Sequence, residues 1–151
     1  MTRSKFLKFG LFNAGSLGTR HDEFLIAMDL HAVDIMAINE TWLRSGEDGR
    51  APLVPGYRLR YIPRPISVRG GRGGGVGFYI RNGVKVQTRS HPTNNEVEQY
   101  WLSLNIAGKK LLIDTAYRPP WLLTETFLDS LTESISALAP YDHMYYIIGG
   151  F

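Results

Sequence analysis

The sequence contains no cysteine, so disulfide frameworks, zinc-thiolate centres and thiol nucleophiles are excluded. It has no apolar run approaching the ~20 residues of a membrane span. The apolar stretch from Phe6 to Phe12 is short and broken by Lys8, so it reads neither as a span nor as a secretory signal. Histidine is scarce: His21, His31, His91 and His143 lack metal-ligand spacing, and each is assigned to the surface. No internal repeat is apparent. These absences fit an intracellular protein with no membrane contact.

What is present suits one domain. A chain of 151 residues, 44% of them hydrophobic, buries roughly 68 to 70% of its unfolded surface. The formal charge of +3 and pI near 9.3 favour a polyanionic partner without naming it. Arginines concentrate in one region, at Arg58, Arg60, Arg64, Arg69, Arg72 and Arg81, and nucleic acid is the partner that such a cluster suits.

Periodicity outlines the elements. Phe6 to Phe12 is an expected strand with Phe9, Leu11 and Asn13 on one face, which leaves Asn13 at the strand end. Thr19 and Asp22 form a T-x-x-D capping box. Phe24, Leu25, Met28 and Ala32 follow at helical spacing, predicting a helix from about Arg20 to His31. Asp34 to Asn39 is the next strand, so the three elements make a β-α-β unit with parallel strands.

Tyr57 to Ile62 alternates aromatic or aliphatic residues with arginine, as a half-buried strand does. The segments "VGFYI" and "VKVQT" on either side of Asn82-Gly83 are expected to pair as a hairpin. Tyr100 to Ile106 and Leu111 to Tyr117 are expected to form a second antiparallel pair around Gly108. Pro119 and Pro120 end that pair. Phe127, Leu128, Leu131, Ile135 and Leu138 mark one helix face, and Pro140 closes the helix. Met144 to Ile148 is the last strand, and its run of aromatic and β-branched residues reads as buried on both faces. Helices near both ends with hairpins between them predict an α/β layer architecture.

Three places can carry chemistry. Glu40 ends an apolar strand on the alternating face of Met36 and Ile38, so it points inward and needs a cation, either an arginine or a metal ion. Asn13 ends the neighbouring strand, where its amide oxygen is either a hard-cation ligand or a turn-forming group. The loop "RGGRGGG" from Arg69 to Gly75 reads as a flexible substrate-facing segment or as an RGG contact to single strands. It is no P-loop, because it precedes a strand and no Lys-Ser/Thr follows. Trp42, Trp101 and Trp121 are assigned to core or loop packing.

Five short motifs occur in a characteristic order: "LFNAGSL" (Leu11 to Leu17), "INETWL" (Ile38 to Leu43), "GGGVGFYI" (Gly73 to Ile80), "YRPP" (Tyr117 to Pro120) and the closing "IIGGF". The sequence thereby resembles the N-terminal portion of the endonuclease/exonuclease/phosphatase family, most closely the endonuclease domains of non-LTR retrotransposon polyproteins. The resemblance implies a two-layered mixed β-sandwich flanked by helices, a four-layer α/β/β/α arrangement, with its C-terminal part missing and residues 1–151 forming a partial domain. It further implies phosphodiester hydrolysis of DNA with Mg²⁺ or Mn²⁺.

Carried over by motif, Glu40 is the metal ligand, Asn13 its neighbour in the metal and phosphate site, and Tyr117 the residue that orients the phosphate. Arg118 adds charge beside it. Arg64, Arg69 and Arg72 are expected to contact DNA. The bland alternative for Tyr117 is a core tyrosine ending a strand.

Family members read G-D-x-N at the last strand end, where this sequence has Gly149, Gly150 and Phe151. Gly150 therefore stands at the position of a catalytic aspartate. The later Asp and His that activate water in the family are not found either, so a truncated, inactive copy is expected. Uncovered sheet faces and edges would favour self-association. A nuclear setting and a reverse transcriptase on the same polyprotein are implied as well. Two other readings remain: a non-enzymatic nucleic-acid binder acting through the Arg/Gly-rich loop, and another phosphoesterase of the family, such as an abasic-site nuclease, phosphoinositide phosphatase or sphingomyelinase.

Overall fold

The computed structural model describes residues 7–19, 21–63, 74–89, 97–106 and 108–138, and the backbone of residues 144–150. The chain begins with strand β1 (Phe9–Asn13), helix α1 (His21–His31) and strand β2 (Ile35–Asn39). β1 and β2 are parallel, with Phe9 opposite Ile35 and Asn13 opposite Asn39, as the β-α-β reading requires. Every residue of β2 is buried, because both its faces are covered. Met36 and Ile38 pack under α1, whereas Ile35 and Ala37 face the second sheet.

β3 (Tyr57–Ile62) and β4 (Val76–Arg81) complete the first sheet, whose order is β1-β2-β4-β3. The second sheet contains β5 (Gln87–Arg89), β6 (Glu98–Ile106), β7 (Lys109–Tyr117) and β8 (Met144–Gly150), in that spatial order. β6 and β7 are antiparallel as expected, turning at Gly108, which has a φ of 78°. Helix α2 (Thr124–Leu138) returns the chain so that β8 lies parallel to β7. The closing strand thus runs to Gly150, two residues beyond the expected end.

Three apolar interfaces hold the layers together. Phe24 and Met28 of α1 pack on the outer face of the first sheet, where Phe24 stacks against Tyr79 at 4.7 Å between ring centroids. Val76, Phe78 and Ile80 of β4 meet Tyr100, Leu102 and Ile113 between the sheets, and the Phe78 and Tyr100 rings are 5.6 Å apart edge to face. On the far side, Phe127 and Leu131 of α2 cover Val97 and Ala116, while Leu138 covers Trp101 and Leu112. The layers are therefore helix, sheet, sheet, helix, as the resemblance implied. Full burial of each such side chain contributes about 1.5–3 kcal/mol. Among the described residues no helix is long and apolar enough to cross a membrane.

Several local expectations are corrected. Asn82-Gly83 does turn the chain, with Gly83 at a φ of 96°, but the flanking segments do not pair. β4 already has β2 on one edge and β3 on the other, so the next segment crosses to β6 in the other sheet. The Arg58 guanidinium holds this crossing by donating to the carbonyls of Arg81 at 3.2 Å and Val84 at 2.6 Å. In α1, Leu25 is 36% exposed and Ala32 lies beyond the helix at a φ of 46°, so only a narrow stripe is buried. In α2, Leu128 is 52% exposed, and Ser130 and Ser134 share the buried face instead. Arg20, the expected start of the first helix, lies outside the described residues, as does Pro140. So do the side chains of residues 145–148, whose double-sided burial was expected.

Beneath α2 lies a carboxyl group with an unusual setting. Asp114 alternates with Leu112 and Ala116 on the helix-covered face of β7, and it is fully buried. Neither of its oxygens has a hydrogen bond, and the nearby Ser134 hydroxyl has none either. Burial pushes the Asp114 carboxyl well above the ordinary value of 3.8, opposed in part by the Tyr100 amide.

Two predictions follow from this packing. Gly77 sits mid-strand in β4, where an added Cβ would lie 2.7 Å from the Arg60 carbonyl oxygen and 2.8 Å from the Tyr61 Cβ. Gly77→Ala should cost about 1–3 kcal/mol of overpacking strain, read as a lower urea midpoint. For Asp114, the raised folded value means that its contribution to stability is fully present below pH 3.8 and is lost as pH rises above 3.8 through the higher folded value. Asp114→Asn should flatten this fall in a urea series across pH, and an unchanged slope would count against the assignment.

Candidate active site

The parallel pairing of β1 and β2 brings their C-terminal ends together, and the ladder continues past them into the loops. Ala14 donates to Asn39 O, Ser16 to Glu40 O and Leu17 to Thr41 O, each at 3.0 Å. Glu40 and Trp42 take left-handed backbone, with φ of 55° and 57°, and Ser16 across the ladder has a φ of 116°. Such geometry is uncommon for non-glycine residues and is found mainly where surrounding contacts impose it.

The left-handed turn changes where Glu40 goes. Strict alternation would send its side chain with Met36 and Ile38 toward α1. Instead it meets the second sheet: the Tyr117 hydroxyl, at the end of β7, donates to Glu40 Oε1 at 3.0 Å. One layer deeper, the Thr115 hydroxyl donates to Asn39 Oδ1 at 2.9 Å, and both residues are fully buried. The Asn39 Nδ2 has no partner. Two side-chain hydrogen bonds thus bridge the sheets at one end of the sandwich.

A second carboxylate adjoins this pair. Glu98 begins β6 opposite Tyr117 in the β6–β7 register and is 4% exposed. Its Oε1 accepts the Gly75 amide at 2.6 Å. Gly75 and Gly74 in turn accept the amides of Thr41 at 3.2 Å and Trp42 at 2.9 Å. Gly75 must be glycine here: its φ is 85°, and a Cβ would lie 2.4 Å from the Thr41 hydroxyl. Sequence reading missed Glu98. The alternation of β6 held the signal, since Glu98 shares a face with Tyr100, Leu102 and Leu104 and so had to point inward.

The other expected site residues fare differently. Asn13 ends β1, exposed, with its Cα in register with Asn39, the residue before Glu40. Among the described residues no hydrogen bond joins the Asn13 and Glu40 side chains. Arg118 is partly buried and donates to Leu122 O at 2.9 Å, so it braces the turn after β7. The Gly150 backbone lies in register beside Tyr117. Arg64, Arg69 and Arg72, like most of the Arg/Gly-rich loop, lie outside the described residues.

Two arginines of the sequence cluster are structural. Arg58 holds the crossing between sheets, and Arg81 stands 3.2 Å from Asp34, off hydrogen-bond alignment, while donating to Ala32 O at 2.7 Å. Among the described residues no three His, Cys, Asp or Glu side chains cluster as a metal site. Glu40 and the exposed Asn13 amide oxygen are residues that could hold a cation. That thin donor set suits Mg²⁺, which is commonly held by one or two carboxylates, waters and substrate phosphates.

Known proteins supply the context. Residues 10–151 match the Endonuclease/Exonuclease/phosphatase family. The chain belongs to this family. It is 22% identical over 122 residues to the RNA-directed DNA polymerase from mobile element jockey of Drosophila funebris, a match covering 79% of this chain and 13% of that protein. Its fold is similar to that of the endonuclease domain of TRAS1, a telomere-specific non-LTR retrotransposon, with a TM-score of 0.65 at 14% identity over 95% of this chain and 58% of that one. An AP endonuclease from Leishmania major is similar as well, with a TM-score of 0.66 at 18% identity over 95% of this chain and 54% of that one. The chain thus spans little more than half of these solved domains and a small part of the curated relative.

The buried bridge can be tested by stability alone. Thr115→Val keeps the shape but leaves the fully buried Asn39 side chain without its bond, which should cost about 1–3 kcal/mol in urea unfolding. Thr115→Ser should recover most of that loss. Equal stability of all three proteins would show that the bridge does not hold the sheets.

Proposed function

We propose that this chain carries the DNA-phosphodiester site of a Mg²⁺- or Mn²⁺-dependent endonuclease of the non-LTR retrotransposon type, with little or no cutting activity left. The observation that carries this reading is the 3.0 Å contact of Tyr117 with Glu40 across the ends of the two sheets. It brings a hydroxyl donor and a carboxylate together on loops tied by backbone hydrogen bonds, in a family generally dependent on divalent metals. The kinship with a jockey polymerase and the fold shared with TRAS1 support DNA over other phosphoesters.

The roles follow from the atoms present. Glu40 and the Asn13 amide oxygen would hold the metal ion, which when bound supplies charge stabilisation to the leaving oxygen. The Tyr117 hydroxyl, poised on Glu40, can donate instead to a phosphate oxygen and so orient it. Arg118 adds positive charge on the same loop. Glu98 supports the site from beneath through the Gly75 amide.

Position 150 sets a limit. It lies in register with Tyr117, and glycine offers no carboxylate there. By the resemblance to the G-D-x-N pattern, one metal-site acid is lost, so the 151-residue chain should nick DNA little or not at all. A reverse transcriptase on the same longer polypeptide, a nuclear setting and self-association through the edge of β8 belong to the same proposal.

Three measurements test it. Anisotropy with a labelled oligonucleotide should show binding that weakens steeply with salt, and absence of binding at low salt would sink the nucleic-acid reading. Supercoiled plasmid with Mg²⁺ should stay at the background of nicking; nicking that disappears in Glu40→Ala would show a competent site and overturn the predicted inactivity. Mn²⁺ titration should reveal weak binding that Glu40→Gln reduces by at least about tenfold, the loss typical even of outer-shell partners.

A further inference from the structure

The buried face of α2 carries more polar groups than its packing requires. Phe127 and Leu131 lie with Ala116, and Leu138 lies with Trp101 and Leu112, so the helix crosses β7 with its last turn over Leu112 and its earlier turns over Ala116. Asp114 stands between those two residues on β7, and Ser134 stands between Leu131 and Leu138 on α2. Both are fully buried. The order of packing therefore sets the carboxyl opposite the hydroxyl.

The polar groups around them are better satisfied. Trp101 Nε1 donates to Gln99 Oε1 at 2.8 Å, and Gln99 Nε2 reaches the Ser130 hydroxyl at 3.5 Å. Thr132, on the exposed side of α2, turns its hydroxyl back to Leu128 O at 2.8 Å, a common resort of a hydroxyl within a helix. Ser134 does not, and neither it nor either Asp114 oxygen has a partner. The charged residues of α2, Glu125, Asp129 and Glu133, are exposed, as is Lys110 farther along β7. Arg89 of β5 is in register with Trp101, one strand beyond the neighbour of Asp114. On β8 the register neighbour of Asp114 is Ile147, with Tyr145 next in the same row. Burial raises the carboxyl pKa, and the Tyr100 amide opposes it in part.

An ionised carboxylate without a partner is costly to keep dry, whereas the protonated acid gains an O–H that can donate to Ser134. Water reaches the ionised form only when α2 lifts. We propose that Asp114 and Ser134 are a proton-operated latch on α2: the protonated carboxyl donates to the Ser134 hydroxyl and seats the helix, and loss of that proton to solvent favours a state with the helix lifted. The consequence extends to the candidate site. Leu122, in the turn after Tyr117, packs with Phe127 and Leu131, and its carbonyl accepts from Arg118. At its other end α2 leads into β8, whose Gly150 is in register with Tyr117. A lifted α2 loosens both flanks of Tyr117. The latch does not depend on the nucleic-acid reading.

Hydrogen exchange of the full 151-residue chain tests it, followed peptide by peptide in a pH series rising from 3.8 and corrected for the intrinsic pH dependence of exchange. α2 should be less protected than β2 at every pH, because it opens without global unfolding. Its protection should fall about tenfold per pH unit from 3.8 up to the folded value, the slope of a single proton, and level off above it. The Leu122 amide, which donates to Pro119 O, should follow α2. Asp114→Asn should abolish the fall. Ser134→Ala keeps the acid and removes its acceptor, so it should lower α2 protection at the acid end and shorten the pH range of the fall. Equal protection of α2 and β2, a level α2 profile in the wild type, or an unchanged slope in Asp114→Asn would each overturn the latch. If Asp114→Asn does not fold, Ser134→Ala decides alone, and wild-type protection at the acid end would overturn it.

Discussion

Two hydrogen bonds between side chains of the facing sheets, Thr115 to Asn39 and Tyr117 to Glu40, are the constraint on which the site depends. Stacked sheets are otherwise joined by apolar side chains, which set a separation but not a position along the strands. A directional bond in a fully buried setting does both, because a slip by one residue would leave Asn39 and Thr115 without partners in a dry layer. The polar pair at the base thereby aligns the ends of β2 and β7. Above it, where solvent begins, the same alignment delivers a carboxylate and a phenol to one place.

That delivery needs a departure from regular strand geometry. If Glu40 continued β2, alternation would turn it toward α1 and away from Tyr117. A left-handed residue breaks the alternation, and the cost is met by the ladder from Ala14, Ser16 and Leu17 on one side and by Gly74 and Gly75 on the other. The glycines are needed for the closeness of this approach. At Gly75 a Cβ would collide with the Thr41 hydroxyl, so the segment entering β4 could not lie close enough to bond the loop after β2. The carboxylate of Glu98 then holds Gly75 from the second sheet.

Much of this was legible in the sequence where local signals decide the outcome. The parallel β1-α1-β2 unit, the antiparallel β6 and β7, and the placement of Glu40 and Tyr117 at strand ends all follow from periodicity and punctuation, and the structure bears them out. Misreadings arose where the outcome depends on which edges and faces other segments occupy. Asn82-Gly83 reads as a hairpin because the turn chemistry is right, yet β4 has no free edge. Leu25 and Leu128 fit helical spacing, but each helix buries a stripe narrower than the spacing allows. Glu98 lies two residues before the expected strand from Tyr100, so its inward face shows only once β6 is extended to include it.

The register of β8 bears on what kind of function remains. Neighbours in register share a face of their sheet, so position 150 belongs to the same face as Tyr117, the face that looks toward Glu40. On the proposed reading, a carboxylate at 150 would add a further acid beside Glu40, whereas glycine leaves Glu40 to hold the ion with an amide and water. On the proposed reading, the parts that touch a phosphate are retained in Tyr117 and Arg118, and the parts that hold a metal are thinned. Binding depends mostly on the first set and hydrolysis on both. The two activities therefore need not be lost together, and a chain with this site can keep contact with a DNA strand after its capacity to cut has fallen.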